Sequence, residues 1–222
     1  MHEISMQFHA FFVNIMTAHH SFSPPLKGSA ATLAHHLRAG SVYRREELSR
    51  LSSAVDRDLG KLVAAGRLKK LAQGLYHAPK SSRFGPLPPD DYQVVQSFLR
   101  GDKDFLLFSP SAYNRVGLGT TQLYNRTLVY NRKRHGIFKL GNREFDFRVK
   151  PRFPHQLTPE FLFVDLLNNL NELAEDRDSV LERARGLWPS LESPELHEAV
   201  ELYGNAATRK YIKAWMDDPV PA

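Results

Sequence analysis

One stretch constrains this chain more than any other: Arg44 to Pro79, RREELSRLSSAVDRDLGKLVAAGRLKKLAQGLYHAP. Its hydrophobic spacing is helical first and ribbon-like afterwards, with Gly66 at the change. Val55, Leu59, Leu62 and Val63 recur at i, i+4, i+7 and i+8, which predicts a helix with one buried face. Ser52-Ser53 stands where hydroxyls can accept from the free N–H groups of that helix, and Gly66 stands where it stops. Ser53, Arg57, Gly60, Lys61 and Ala64 fall on the opposite face, which is small and basic. Gly60 costs about 1 kcal/mol of helix propensity against alanine. Taken alone, the helix has two readings: a face shaped to approach a groove edge, or a solvated face with an incidental glycine.

The neighbouring segments decide between them. Arg67–Leu71 (RLKKL) can line a strand, and Ala72-Gln73-Gly74 makes a turn in which Gly74 is free to take positive φ. Leu75-Tyr76-His77 returns as a second strand, which Pro79 ends. Upstream, Ser29–Arg38 supplies a first helix with Ala31, Leu33, Ala34 and Leu37 as its apolar positions, closed by Gly40. Arg44–Leu48 forms a short middle helix. Helix, short helix, helix and small basic hairpin are the outline of a winged helix-turn-helix, a module for double-stranded DNA.

The distribution of charge agrees. Residues 1–85 carry 12 basic and 5 acidic side chains, residues 86–155 carry 12 and 6, and residues 156–222 carry 6 and 13. The first two thirds therefore offer a surface for a polyanion, and the last third would repel one and suits packing or a partner. The 222 residues contain no cysteine, which excludes disulfides and thiolate metal sites and fits a reducing cytoplasm. Residues 1–20 have helical spacing at Ile4, Phe8, Phe11, Phe12 and Ile15, without the basic start and cleavage site of a signal peptide. They are too short and interrupted to span a membrane; a helix packing on a partner subunit or on the second domain is expected, with a disordered segment or a start at Met16 as the alternative. The expected division is an extension over 1–22, the winged helix over 23–80, a linker over 81–89 (rich in Pro, Gly and Ser) and a second domain over 90–222.

In that second domain, Asp90–Leu99 predicts an amphipathic helix with Tyr92, Val95, Phe98 and Leu99 inward. Asp104–Phe108 predicts a buried strand, and Ser109-Pro110-Ser111 opens a helical turn running to Gly117. Thr127–Tyr130 and Gly136–Leu140 read as strands joined by the basic loop Asn131–His135, and Glu144–Val149 alternates as a half-buried strand does. The expected class is α+β, with an antiparallel sheet and a helical tail. Thr158-Pro159-Glu160 starts a helix apolar on most of its circumference, which should lie at the centre of the domain. Helices over 178–187, Ser193–Tyr203 and Asn205–Met216 follow.

Two pieces carry a resemblance to a known family. The pattern Leu59-x-x-Leu62-x-x-x-Gly66-x-Leu68-x-Lys70-Leu71-x-x-Gly74-x-Tyr76-x-x-Pro79 resembles the N-terminal domain of the AbiEi antitoxins of type IV toxin–antitoxin systems. The segment Ala112-x-x-x-x-Gly117-Leu118-Gly119-Thr120-Thr121-Gln122 is similar to one in that family's C-terminal domain. The chain departs from the family at Leu123-Tyr124-Asn125, where a proline is frequent, and the likeness covers about residues 28–155. It implies a repressor that binds inverted repeats in its own promoter, next to a gene for a nucleotidyltransferase-like toxin. One winged helix reads too few base pairs to find one operator, so a homodimer or a cooperative pair on the DNA is expected. It implies DNA contacts at Ser53, Arg57 and Lys61 on the recognition helix and at Lys69 and Lys70 on the wing. Ser52, Arg44, Arg45 and Gln73 border these positions. Arg132, Lys133 and Arg134 either extend the surface through phosphate contacts or form a charged hairpin tip.

Signals for catalysis are weaker. Gly117-Leu118-Gly119-Thr120-Thr121 lacks the third glycine of a dinucleotide fingerprint and the Gly-Lys-Ser/Thr of a P-loop. The histidine pairs His19-His20 and His35-His36 lack metal-ligand spacing, and no Gly-x-Ser-x-Gly elbow occurs. The acids Glu160, Asp165, Glu172, Glu175 and Asp176 fit an exposed helix face and its C-terminal loop better than a nuclease site. No enzyme activity, cofactor or metal is expected. Two alternatives to a repressor stay open: a regulator whose second domain senses a ligand or protein, and a nucleic-acid-processing enzyme that docks through the winged helix.

Overall fold

The burial of Leu33, Leu48, Leu59, Leu62 and Leu68 in one cluster builds the N-terminal half. The computed structural model describes residues 25–118, 126–173 and 175–218. The expected helix around Ile4–Ile15, the Gly119–Gln122 part of the glycine-rich segment and Leu123–Asn125 lie outside the described residues. Helix α1 (Ser29–His36) packs on α3 (Val55–Ala64), and the single turn α2 (Arg45–Leu48) lies between them in the chain. Strands β2 (Lys69–Ala72) and β3 (Leu75–His77) form the expected hairpin. A strand absent from the sequence reading, β1 (Val42–Arg44), pairs with the far side of β3, giving the antiparallel order β1-β3-β2. The element order and the sheet are those of a winged helix.

Helix α3 starts later than its serine pair suggested. Its N-cap is Ala54, whose side chain makes no capping bond. Ser52 is buried instead: its hydroxyl donates to the Asp58 carboxylate at 2.7 Å and accepts from the Ala54 N–H at 3.1 Å. One hydroxyl thus ties the preceding turn to the first turn of the helix, and Asp58 faces inward beside Val55, Leu59 and Leu62. Val63, counted in the apolar stripe, is 38% exposed.

Residues 81–89 are not featureless; they hold a small hairpin, β4 (Ser81–Ser82) with β5 (Gly85–Pro86). Beyond it, α4 (Asp91–Phe98) is capped by Asp90, which accepts from Gln93 N–H at 2.9 Å. Val94, Val95 and Leu99 are its buried positions, whereas Tyr92 is exposed and Phe98 half-buried. The central sheet joins β6 (Phe105–Phe108), β7 (Arg126–Asn131), β9 (Arg143–Val149) and β8 (Gly136–Leu140), in that spatial order.

This sheet is mixed rather than antiparallel. β7 and β8 do not pair as a hairpin; β9 enters between them, parallel to β7 and antiparallel to β8. The buried Asn131 explains how the chain skips a strand. Its carboxamide oxygen accepts from the Lys133 and Arg134 N–H groups at 2.8 and 2.7 Å, and its nitrogen donates to the Arg134 carbonyl at 2.9 Å. The loop is thereby closed on a side chain and needs no ladder.

Alternation along the strands gives the sheet two apolar faces. Phe105, Val129, Phe145 and Phe147 meet α4 and the wing residues Leu71 and Leu75. Leu106, Phe108, Leu128 and Tyr130 meet the helical tail. At the centre of that tail stands α5 (Pro159–Asn168), opened by Thr158, whose hydroxyl accepts from Phe161 N–H at 3.2 Å. Every residue from Phe161 to Leu167 is buried, the six apolar side chains and Asp165 among them. Helices α6 (Arg177–Leu191), α7 (Pro194–Tyr203) and α8 (Ala206–Asp217) close around it, each N-capped by a side chain: Asp176, Ser193 and Asn205. No described helix is long and apolar enough to cross a membrane.

Asp165 departs from its expected place on an exposed face. It is 2% exposed, on the side of α5 that meets the sheet. The hydroxyls of Tyr113 and Tyr130 both donate to it at 2.8 Å, and Asn169 donates to the Tyr130 oxygen at 3.1 Å. Burial raises the carboxyl's pKa while the two tyrosine hydroxyls lower it. Nearby, Arg148 donates to Asn169 at 3.2 Å and pairs with Asp146 and Glu172. Asp165→Leu strands two buried hydroxyls, and it is expected to cost about 3 kcal/mol of stability against about 1–2 for Tyr130→Phe. Urea denaturation measures both. A leucine variant as stable as the parent would mean that desolvation of the carboxylate cancels its bonds.

Candidate nucleic-acid interface

The outward face of α3 brings together the residues expected there. Ser53, Arg57, Gly60, Lys61 and Ala64 are all exposed, spaced so that they share one side of the helix. Neither Arg57 nor Lys61 makes an ion pair or side-chain hydrogen bond among the described residues. Between them Gly60 has no heavy atom within 4 Å of where a Cβ would stand, so packing inside the protein does not require the glycine. The face is thus cationic, smooth and free to meet a partner.

The first turn of α3 is different. Asp56 receives a two-pronged contact from Arg45, with Nε and Nη2 at 2.6 and 2.5 Å from its oxygens. That bond, with the charge behind it, lowers the pKa of Asp56 and raises that of Arg45. Asp58 is held below the usual carboxylate range by the hydroxyls of Ser29 and then Ser52. Two acids in the first turn also suit the positive end of the helix dipole.

Not every predicted residue joins this face. Ser52 is buried under it, as described above. Arg44 is 19% exposed and turned toward the second domain; it donates to the Ser97 carbonyl at the end of α4 at 2.9 Å and pairs with Glu46 at 2.8 Å. It ties the two halves and is not presented to solvent. Two exposed cations were not singled out from the sequence, Arg50 in the turn before α3 and Arg67 just after it. Their positions flanking the helix were the available signal.

Lys69, Lys70 and Gln73 of the wing are exposed, with Lys70 Nζ donating to Gln73 at 2.9 Å. Leu71 and Leu75 of the wing are committed to the second domain. The Gly141 N–H donates to the Leu71 carbonyl at 2.8 Å. Gly141 is glycine for two reasons: its φ is +67°, and a Cβ would stand 3.0 Å from the Leu71 side chain.

In the loop between β7 and β8, each cation has an internal partner. Arg132 pairs with Asp104 at 3.2 Å and Lys133 with Asp102 at 2.7 Å. The Arg134 guanidinium lies over the Phe98 ring, 4.6 Å from its centroid. The loop's charge is largely answered where it stands.

A scan against protein-family models finds no match, and no curated protein matches the chain. Among solved structures, the fold is similar to the crystal structure of the RV2827C protein from Mycobacterium tuberculosis. The TM-score is 0.52 at 13% identity, over 88% of this chain and 78% of that one. At that identity the two share a fold: N-terminal helices with a small antiparallel sheet, then a mixed sheet and C-terminal helices.

His77, on β3 directly across from Lys69, escaped the sequence reading. It is 1% exposed, and neither ring nitrogen has a hydrogen-bond partner among the described residues. Burial, and then the Lys69 charge, push its pKa below the ordinary value. The unfolded chain therefore takes up this proton first. The contribution is fully favourable above the unfolded pKa, about 6.5, and is lost as pH falls toward the folded value. Urea midpoints should be flat between pH 7 and 8 and decline below about 6.5, and His77→Leu should flatten the decline.

Proposed function

We propose that this protein is a sequence-specific DNA-binding repressor, and within that class an antitoxin of the AbiEi type that represses its own toxin–antitoxin operon from the cytoplasm. The observation that carries this reading is the unpaired Arg57–Gly60–Lys61 face of α3. In a helix-turn-helix that helix enters the major groove, and its small central residue allows the backbone to approach the groove edge. The winged-helix order of elements supports it, as do the exposed lysines of the wing. The AbiEi assignment rests on the motif around Gly66–Pro79, and with it comes a nucleotidyltransferase-like toxin encoded nearby.

Arg57 and Lys61 are the base-reading candidates, with Ser53 at the edge; Lys69 and Lys70 are the phosphate contacts that set register. Two copies act on an inverted repeat, because one winged helix reads too few base pairs to find one operator in a genome. Half-sites then lie about one helical turn, or a multiple of it, apart.

Arg57→Ala should cost about 1–3 kcal/mol on the operator and relax specificity at one position, measured by competition with operator and scrambled duplexes. Gly60→Ala should stabilise the fold by about 0.5–1 kcal/mol yet weaken DNA binding, because the added methyl faces only the groove. An equal loss on both duplexes for Arg57→Ala would reduce that residue to a phosphate contact.

Replacing Lys69 and Lys70 together by alanine should weaken binding to every sequence and flatten the salt dependence by about two units of log K per log salt. The pair Arg132→Ala and Lys133→Ala should change that slope much less, since their charges are already met by Asp104 and Asp102. A larger slope change from the loop than from the wing would reverse the proposed docking.

A further inference from the structure

Beneath the wing, a cleft of about 410 Å³ opens between β2–β3, the Pro86–Pro89 segment, the start of α4 and the β8–β9 turn. That volume lies within the range of small-molecule sites. Part of its wall is apolar: Leu71, Val94, Leu140 and Phe145, with prolines along one edge. His77 lies against it, buried, with both ring nitrogens unpartnered among the described residues. A buried imidazole that forms no hydrogen bond costs stability that nothing inside the protein returns. Its ring lines the cleft, and its two nitrogens, closed to solvent, have no partner among the described residues.

The charges around the cleft fix the sign of its ligand. Lys69, Lys70 and Arg143 line it, against one acid, Asp91. Asp91 is already paired with Arg143, and Lys70 holds Gln73. Lys69 makes no ion pair or hydrogen bond among the described residues, and it stands directly across the hairpin from His77. One uncompensated ammonium and one imidazole without an internal partner thus flank the apolar part of the cleft.

We infer that this cleft binds a small monocarboxylic acid with a flat apolar body, its carboxylate held between Lys69 and His77. The body lies against Leu140, Phe145 and Val94, where it displaces water from apolar surface. A second negative charge on the ligand would lie near the Asp91 carboxylate, and a cation would meet Lys69. The inference stands on the cleft alone and does not depend on the protein binding DNA.

Benzoate is the probe, with benzyl alcohol and benzylamine as neutral and cationic bodies of similar shape. Titration calorimetry on the full chain should show benzoate binding in the millimolar range or tighter, and both controls at least about tenfold weaker. Lys69→Gln, an exposed change that leaves the core intact, should weaken benzoate by about tenfold, and His77→Gln by as much or more. Nitrogen-detected spectra of the unmodified protein give a measure that needs no variant: benzoate should move the ring resonances of His77 and leave those of the exposed His35 and His36 in place. The inference is overturned if millimolar benzoate leaves both heat and His77 resonances unchanged. It is equally overturned if benzylamine binds as tightly, or if benzoate binding survives the Lys69 substitution undiminished.

Discussion

Leu71 is the extra residue in the wing's hairpin, and much of the molecule depends on where it points. Between Lys70 and Ala72 the pairing slips by one residue while the facing strand advances from Tyr76 to Leu75. A bulge of this kind turns one side chain out of the ladder and leaves its carbonyl unpaired within the hairpin. Here the side chain joins the core of the second sheet and the carbonyl accepts from Gly141. Lys69 and Lys70, both exposed, thus stand directly before a buried leucine. The hairpin therefore belongs to two cores at once, while Arg44, reaching the end of α4, makes a second tie nearby.

Wherever local periodicity governs, the sequence was legible. The inward stripe of α3, the Gln73-Gly74 turn, the Thr158-Pro159 start of α5 and the alternation of β9 all follow from spacing and cap chemistry. The fold fails to be legible where partners are chosen in space. β1 is three residues without alternation, and only β3 makes it a strand. β7 and β8 look like a hairpin because they are neighbours in the chain, but a side chain, Asn131, closes their loop and frees β9 to enter between them. Of the candidate site, the recognition face was readable because exposure on an amphipathic helix is set by phase. Ser52, Asp58, His77 and Asp165 were not, because a polar residue gives no sign in the sequence of being buried.

Electrostatics sharpen that distinction. The middle of the chain carries an excess of basic residues, but an excess counted along the sequence is not a field in space. Arg132 and Lys133 meet Asp104 and Asp102, and Arg148 is shared among Asp146, Asn169 and Glu172. Near the recognition helix the same holds for Arg45, which is neutralised by Asp56. The cations that remain uncompensated are few, and Arg57, Lys61 and Lys69 are among them. A polyanion is attracted by this remainder rather than by the total.

The outward residues of α3 touch nothing on which the fold relies, whereas its inward residues are part of the N-terminal core with Leu33, Leu48 and Leu68. Substitution at positions 53, 57 or 61 disturbs no buried contact and should leave stability nearly unchanged. The protein's address can therefore be rewritten without rebuilding the protein. The wing has no such freedom, because every change near Leu71 is also a change in the core of the neighbouring domain.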